Sequence, residues 1–421
     1  MGAGKRLGTR TTATVAAAAA LVFAVATLSA CAATSADAQS ATRATRNSAT
    51  ASGIAAVVRD AMKTQHLRAV IVKVTRGNRV ITSQAFGESM QGVPATTDMH
   101  FRQGAVAFAY IGTLLMEFVD EHKVRLDDTI DHWMPELPES NRVTLKMLTN
   151  QTTGYPDFET DPAWLKAFYA DPFHIWTFQE RLKYAFERPI EFPPGTNWSY
   201  AHTNFMILGE VLSRIGGQPL ATLLREKVLE PMGLDETVAT ETSAIPSPVL
   251  HSFSTERLPG LGITAPAPVD EDVSFWNAQW GSPIGGNETS TIDDMATTAR
   301  KVGTGSLLSR QSYDLMTGPH LLGFGHKEPS CQPSCFTQIN AYNFGLGIVR
   351  SGSWILQDPL LPAYGATEAY LPSQRISIAV VVTFLPAAID AQGIYPNASD
   401  TLFRSIGRYV APGDPPPSVP H

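Results

Sequence analysis

The sequence predicts a mixed α/β (α+β) fold: an antiparallel sheet flanked by helices, with a mostly helical subdomain inserted. Three observations support this prediction. Apolar and alternating runs near residues 69–87 and 345–384 are typical of strands. Residues 106–119 are apolar on more than one face, which favours a buried helix. The middle of the chain, about residues 135–285, is helical in periodicity with proline-rich connections. One sheet is therefore expected from segments at both ends of the chain.

The individual elements follow in order along the chain. A hairpin is indicated near the start because Arg76-Gly77-Asn78 separates two strand-like runs. Gly216-Gly217 and the Pro231-Met232-Gly233 sequence indicate where two helices of the middle region end. We expect one domain over residues 53–411 and a disordered, proline-rich tail at 412–421. The predicted strands are 69–75, 79–87, 345–350, 364–371 and 376–384, and the predicted helices are 54–64, 106–119, 203–215, 220–229, 291–302 and 400–410.

The N-terminus is typical of an export signal. The first 30 residues hold three basic side chains and no acid, followed by an apolar run at residues 15–26. That run ends in Leu28-Ser29-Ala30-Cys31, which resembles a bacterial lipobox whose cysteine is acylated. The sequence predicts a signal peptide at 1–30, lipidation at Cys31 and a flexible tether at 31–52. The protein would then be held at the outer face of the cell membrane. The alternative is a plain signal peptide with an incidental cysteine.

Charge limits the classes of partner. Removing three of the 32 basic side chains with the signal peptide leaves 29 against 39 acidic ones, a net charge of −10. This balance argues against nucleic acid or anionic lipid as a direct partner. The remaining contact with the membrane would be the lipid anchor.

Two further cysteines, Cys331 and Cys335, are separated by three residues. In an exported protein this spacing favours a disulfide over free thiols. A zinc site is the other alternative, but two cysteines with the nearby His326 do not provide four ligands. The scattered histidines have no metal-ligand spacing, and no cofactor motif is present, so neither a metal nor a cofactor is expected.

Several short sequence segments resemble those of one family, the serine β-lactamase-related proteins, and they occur in the same order along the chain. This family includes class C β-lactamases, D-alanyl-D-alanine carboxypeptidases and related esterases. The resemblance covers about residues 53–410 and implies a β-lactamase/transpeptidase-like fold. It also implies acyl transfer through a covalent acyl-enzyme. The phrases are Phe101-Arg102-Gln103-Gly104, Val124-Arg125-Leu126-Asp127-Asp128, residues 144–154, residues 192–200, Glu230-Pro231-Met232-Gly233-Leu234, residues 285–296 and Ala369-Tyr370-Leu371-Pro372.

The first catalytic motif of that family, Ser-x-x-Lys, falls at the start of the predicted buried helix. One helical turn places both side chains on the same face, so the lysine can take the proton of the serine hydroxyl. Here the two positions hold Ala105 and Phe108. Alanine provides no nucleophile and phenylalanine exchanges no proton. The resemblance therefore implies the fold while these residues predict that its acyl-enzyme chemistry is lost.

The second motif, Tyr-x-Asn, reads Tyr200-Ala201-His202. His202 is able to hydrogen-bond or titrate near neutral pH, so one interpretation is a modified binding or acid–base pair. The other interpretation is that Tyr200 is retained for packing and one hydrogen bond, with His202 at a helix start. Both interpretations stand at this point.

The third motif, Lys/His-Thr-Gly, aligns with Gln357-Asp358-Pro359. Gln357 lacks the cation that anchors a substrate carboxylate in the family, and Asp358 would repel such a carboxylate. Pro359 donates no backbone N–H to a peptide-like substrate. Recognition of a β-lactam or of D-alanyl-D-alanine is therefore not expected.

Three functional hypotheses follow. The first is a catalytically inactive family member that binds a cell-envelope small molecule, a peptidoglycan fragment or a protein partner. The second is a hydrolase with rearranged chemistry, in which Tyr200 and His202 act as acid and base. The third is a structural role, with the cleft filled around Phe108.

Overall fold

A computed structural model describes residues 48–258, 263, 270–277, 281–390 and 395–419. The predicted signal peptide, Cys31 and most of the predicted tether lie outside these residues. The chain divides into a short unit, Met1–Ser52, and a large one, Gly53–His421. In the short unit, residues 48–52 are helical. The tether prediction is wrong for these five residues, because their alanines favour helix as strongly as they fit a linker.

The elements of the large unit alternate from sheet to helices and back to sheet. No helix in the described part of the chain is long and apolar enough to cross a membrane. The strands are β1 (Leu67–Arg76), β2 (Arg79–Met90), β3 (Val93–Pro94), β4 (Phe101–Arg102), β5 (Val238–Thr240), β6 (Phe253–Ser254), β7 (Glu271–Asp272), β8 (Asn287–Ser290), β9 (Asn343–Phe344), β10 (Val349–Ser351), β11 (Trp354–Gln357), β12 (Leu360–Leu361), β13 (Tyr364–Leu371) and β14 (Ile376–Phe384). The helices are α1 (53–64), α2 (Val106–Asp120), α3 (Leu145–Asn150), α4 (Pro162–Ala170), α5 (Phe178–Phe186), α6 (His202–Gly216), α7 (Leu220–Leu224), α8 (Glu230–Met232), α9 (Ile292–Gly303), α10 (Arg310–Thr317) and α11 (Ala398–Val410).

An antiparallel sheet joins the two ends of the large unit, as the sequence predicts. Its strand order is β3-β2-β1-β14-β13-β11-β10-β9, and β12 adds to β13. β14 lies between β1 and β13, and all nine of its residues are buried, which explains its continuous apolar sequence. The predicted hairpin, with Gly77 at a positive φ in its turn, is confirmed by the pairing of β1 with β2.

Helix α2 is buried along nearly its whole length and touches the backbone of the loop before β10. A Cβ on Gly112 would lie 2.4 Å from the carbonyl oxygen of Leu346, and one on Gly347 would lie 2.3 Å from that of Phe108. Gly347 has φ +77°, which only glycine adopts readily. The predicted strand at 345–350 is therefore wrong for residues 345–348. Those residues turn to pass α2, and strand β10 begins at Val349.

The middle region is mostly helical, but it also contains the short strands β5, β6 and β7. The sequence analysis missed them because strands of two or three residues leave no periodic signal. The helix predicted at 220–229 is α7 followed by a π-helical turn at Arg225–Leu229. Helix α6 begins at His202, so Tyr200 lies just before its first turn.

The described tail residues, 412–419, lie against the domain rather than being disordered. The indole nitrogen of Trp354 donates to the carbonyl oxygen of Asp414 at 3.1 Å, and Arg404 donates to that of Pro417 at 2.5 Å. Pro416 covers Gly407, where an added Cβ would lie 2.5 Å from the proline ring. The predicted disorder is wrong for these residues, because proline-rich composition also suits a fixed, extended segment that covers apolar surface.

Candidate functional site

A cleft of about 410 Å³ lies where α2, the segment before α6 and the turn after β11 meet. The described residues that line it include four of the five positions singled out from the sequence: Ala105, Tyr200, His202 and Gln357. The fifth, Phe108, is fully buried and is not among the lining residues. The other lining residues are Gly104, Trp198, Gly281, Ser282, Ser334, Phe336, Tyr342, Asp358, Pro359, Leu360, Leu361 and Asn397.

Ala105 immediately precedes α2, with its side chain half-buried at the cleft. The preceding residue, Gly104, has φ +56°, and a Cβ there would lie 2.7 Å from Leu361 and 2.9 Å from Pro359. This close approach brings the start of α2 against the turn after β11. The first and third family motifs are thus adjacent in space, but the position of the nucleophile holds only a methyl group.

Phe108, which the sequence resemblance aligns with the family lysine, is fully buried. Its ring stacks on Phe205 of α6, with centroids 3.7 Å apart and an interplanar angle of 4°. The rings of Tyr200 and His202 lie 6.2 Å and 6.3 Å away. Phe108 therefore packs in the core close to Tyr200 and His202, two residues that line the cleft.

Two carboxylates hold His202. Its Nδ1 lies 3.0 Å from Oδ2 of Asp157 and 3.1 Å from Oε2 of Glu159. The side chains of these acids are 7% and 13% exposed, and that of His202 is 19% exposed. An imidazole nitrogen facing two carboxylate oxygens must carry a proton to donate to either of them. The imidazole ring is thereby fixed at the wall of the cleft.

The charge state of His202 follows from opposing effects. Burial alone would lower the pKa of His202, but the attraction of Glu159 and Asp157 outweighs it and raises the pKa to about 9. Burial raises the pKa of Glu159 well above its ordinary value, and the neighbouring His202 opposes that rise. Arg181, fully buried, also acts on Glu159 and donates to the carbonyl oxygen of Ser282 at 2.6 Å. His202 is therefore an imidazolium at neutral pH.

Tyr200 is half-buried at the cleft, and its ring lies 5.1 Å from that of His202, close to perpendicular. Burial raises the pKa of the Tyr200 hydroxyl well above its ordinary value, and the acids around the cleft add to this effect. The phenol therefore stays protonated throughout the neutral range, so it serves as a hydrogen-bond donor rather than as a base.

The third motif lies on the opposite wall. Gln357 ends β11, is 3% exposed, and donates from its amide to the carbonyl oxygen of Gly347 at 2.6 Å. Asp358 is half-buried and lines the cleft. Burial, and then the negative charge of Asp400, raise the pKa of Asp358 to about 7, while Arg404 opposes the rise. The amide nitrogen of Gln357 is thus engaged by the backbone, and Asp358 is the acid of this wall.

Cys331 and Cys335 are joined by a disulfide, with their Cα atoms 5.5 Å apart. The bridge closes a short loop at the cleft rim, where Ser334 and then Phe336 line the cavity. The backbone N–H of Tyr200 donates to the carbonyl oxygen of Ser334 at 3.3 Å. Within the described residues, no group of three or more His, Cys, Asp or Glu side chains could hold a metal ion.

The sequence analysis missed two features of the site. One is the pair of acids, Asp157 and Glu159, which lie far from His202 in the chain and meet it only through the fold. The other is the aromatic wall formed by Trp198, Phe336 and Tyr342, with ring centroids 4.8 to 6.3 Å apart. A hint of the first was available, since the two acids follow closely after a family phrase that ends at residue 154.

Comparison with known proteins agrees with this architecture. A family model described as Beta-lactamase matches residues 54–401. Esterase EstB of Burkholderia gladioli is 25% identical over 200 residues, which cover 44% of this chain and 51% of that protein. The D-aminopeptidase of Gluconobacter oxydans is 22% identical over 323 residues, 75% of this chain and 56% of that one. The chain spans about half the length of the curated relatives it matches.

Solved structures share the fold. D-amino acid amidase from Ochrobactrum anthropi SV3, in complex with L-phenylalanine amide, superimposes with a TM-score of 0.70 at 19% sequence identity. The match covers 86% of this chain and 99% of that one. At this identity the likeness shows a common fold.

Proposed function

Because the chain belongs to the Beta-lactamase family, whose members matched here include hydrolases, we propose that it binds a cell-envelope ligand in the family's cleft without cleaving it. The observation that carries the proposal is the pair of substitutions at the start of α2. Ala105 provides no nucleophile, and Phe108 provides no base for one.

The packing around Phe108 supports this proposal. A lysine there would replace a buried ring that stacks on Phe205 with the centroids 3.7 Å apart. The residue at the position of the base is therefore part of the apolar core. Two serines, Ser282 and Ser334, line the cleft, but no lysine does so among the described lining residues. A serine without an adjacent base is a weak nucleophile. Neither serine therefore restores the family reaction.

The open volume of the cleft argues for binding rather than for a purely structural role. A cavity of about 410 Å³ falls in the range of small-molecule sites. Its wall combines aromatic rings with a few fixed polar groups, namely His202, Asp358 and Asn397. Phe108 is buried and does not fill this space. A peptidoglycan fragment or another small envelope molecule has a suitable size for it.

A second candidate function, hydrolysis with Tyr200 and His202 as acid and base, is favoured by one observation. His202 bonds to Asp157 at 3.0 Å, as an oriented catalytic histidine does. The charge state counts against it. With its pKa raised to about 9, His202 keeps its proton at neutral pH, and the hydroxyl of Tyr200 keeps its own. Both groups are then acids, so this pair provides no general base.

The test is reaction of the purified protein with a fluorescent penicillin, a fluorophosphonate probe and a p-nitrophenyl ester. We expect no covalent label and no turnover above the rate in buffer. The variants Ser282→Ala and Ser334→Ala are the matched controls, because they remove the hydroxyls that line the cleft. Labelling of the parent that one of these variants abolishes would contradict the proposal and identify the nucleophile.

We also propose that the protein is exported and lipid-anchored through Cys31 to the outer face of the cell membrane. The basic start, the apolar run and the lipobox-like Leu28-Ser29-Ala30-Cys31 support this. Metabolic labelling with palmitate followed by detergent-phase partitioning tests it. Label and partitioning should disappear in Cys31→Ala. A parent that stays in the aqueous phase without label would refute the anchor.

A further inference from the structure

The charge in the cleft has the opposite sign to that expected for this family. Where the family motif provides a cation for a substrate carboxylate, this wall presents the carboxylate of Asp358. Within the described part of the chain, Asp358 forms no ion pair within 4.0 Å. Gln357 beside it directs its amide to the backbone of Gly347. The acid is thus available to a ligand.

The other charges around the cleft leave this acid dominant. Among the described lining residues, only His202 and Asp358 carry charge. The imidazolium of His202 faces two carboxylates, Asp157 and Glu159, at 3.0 and 3.1 Å. Behind Asp358, Arg404 is bound to Asp400 by a 2.7 Å contact. His202 and Arg404 are therefore each paired with at least one acid, whereas Asp358 forms no ion pair with a cation within the described residues.

Aromatic rings form the wall next to Asp358. The ring centroid of Phe336 lies 4.8 Å from that of Trp198 and 5.7 Å from that of Tyr342. Phe336 and Tyr342 are half-buried at the cleft, whereas Trp198 is fully buried against them. The carboxylate of Asp358 acts on the hydroxyls of Tyr342 and Tyr200, because after burial it is among the causes that raise their pKa values. Acid and rings thus share one region. Aromatic faces attract organic cations, and the attraction grows when the site is partly desolvated.

We propose that this cleft selects a ligand with an organic ammonium group, bound between Asp358 and the half-buried rings of Phe336 and Tyr342. The inference rests on the proposed binding function and specifies the chemistry of the ligand. An anionic ligand would meet Asp358 without a compensating cation on that wall. A neutral ligand of the same shape would use the rings but not the charge.

The experiment compares three small probes by titration calorimetry: choline, its uncharged tert-butyl analogue, and trimethylacetate. We expect choline to bind about tenfold or more tightly than either of the others, since cation–π and charge attraction act together. Asp358→Asn should weaken choline binding about tenfold and leave the binding of the neutral analogue unchanged. Glu136→Gln, an exposed charge change outside the cleft, is the matched control and should alter neither.

The pH dependence provides a second readout. The pKa of Asp358 is about 7, with Asp400, Arg404, Tyr342 and Tyr200 facing it, so choline affinity should rise between pH 6 and 8 in the parent but not in Asp358→Asn. His202 keeps its charge over this range. Equal or tighter binding of trimethylacetate, an unchanged affinity in Asp358→Asn, or no choline binding at millimolar concentration would overturn the inference. Covalent labelling by the fluorophosphonate would instead refute the proposed function, whatever choline does.

Discussion

Replacing Phe108 by lysine tests how far the cleft has moved from the family chemistry. The ring of Phe108 lies 6.3 Å from that of His202, which is an imidazolium at neutral pH. Two unit charges at that distance repel by about 3 kcal/mol at an effective dielectric constant of about 20. Loss of the stack on Phe205 costs about 1 kcal/mol more. We expect Phe108→Lys to be clearly less stable than Phe108→Met, which loses the stack but adds no charge.

A double-mutant cycle with His202→Gln isolates the repulsion. Urea unfolding of the parent, Phe108→Lys, His202→Gln and the double variant should give a coupling of about 3 kcal/mol, because lysine is tolerated better once the imidazolium is gone. Asp157 and Glu159 would then attract the new ammonium. The cycle with Phe108→Met serves as the control and should show no such coupling. A coupling below about 0.5 kcal/mol with lysine, or an equal one with methionine, would refute this reasoning.

Three further outcomes are expected. The imidazole resonances of His202 should titrate near pH 9 and move toward pH 6.5 in Glu159→Gln. Because the pKa of His202 is higher in the folded than in the unfolded chain, its charge stabilises the fold by about 3 kcal/mol below pH 6.5, and this stabilisation is lost as the pH rises through 9. The parent should therefore lose more stability between pH 6.5 and 9 than His202→Gln does, and an equal loss in the two proteins would contradict the assignment. Deleting residues 412–419 should lower stability by about 1–3 kcal/mol in a thermal or urea melt, whereas an unchanged melt would restore the idea of a disordered tail. Replacing Cys331 and Cys335 by serine should cost at most about 2 kcal/mol in urea unfolding, as the closed loop is short; a larger loss would show that the bridge does more than close that loop.

The fold and the positions of the site were predictable because they depend on local patterns. The nine buried residues of β14 form a continuous apolar run, and the motif spacings fix which residues meet at the cleft. A tight turn such as that at Gly347 depends instead on a helix more than 200 residues earlier in the chain, so the sequence around it suggested a strand.

The charge arrangement was less predictable from the sequence. His202 alone suggested a group that titrates near neutral pH. Its partners Asp157 and Glu159 raise its pKa to about 9, and their contact exists only in the folded chain. The same holds for the aromatic wall, since Trp198 and Tyr342 are 144 positions apart in the sequence. Pairings through space carry no local periodicity from which they could be inferred.

The contact between α2 and the loop before β10 has a consequence for the shape of the cleft. At Gly112 and Gly347 the two backbones touch, so neither segment can tilt or slide when side chains change nearby. The position of α2, which carries Phe108 and follows Ala105, is therefore set by this backbone contact as well as by side-chain packing. The backbone that shapes the cleft and the side chains that determine its chemistry are thus separate properties of this fold.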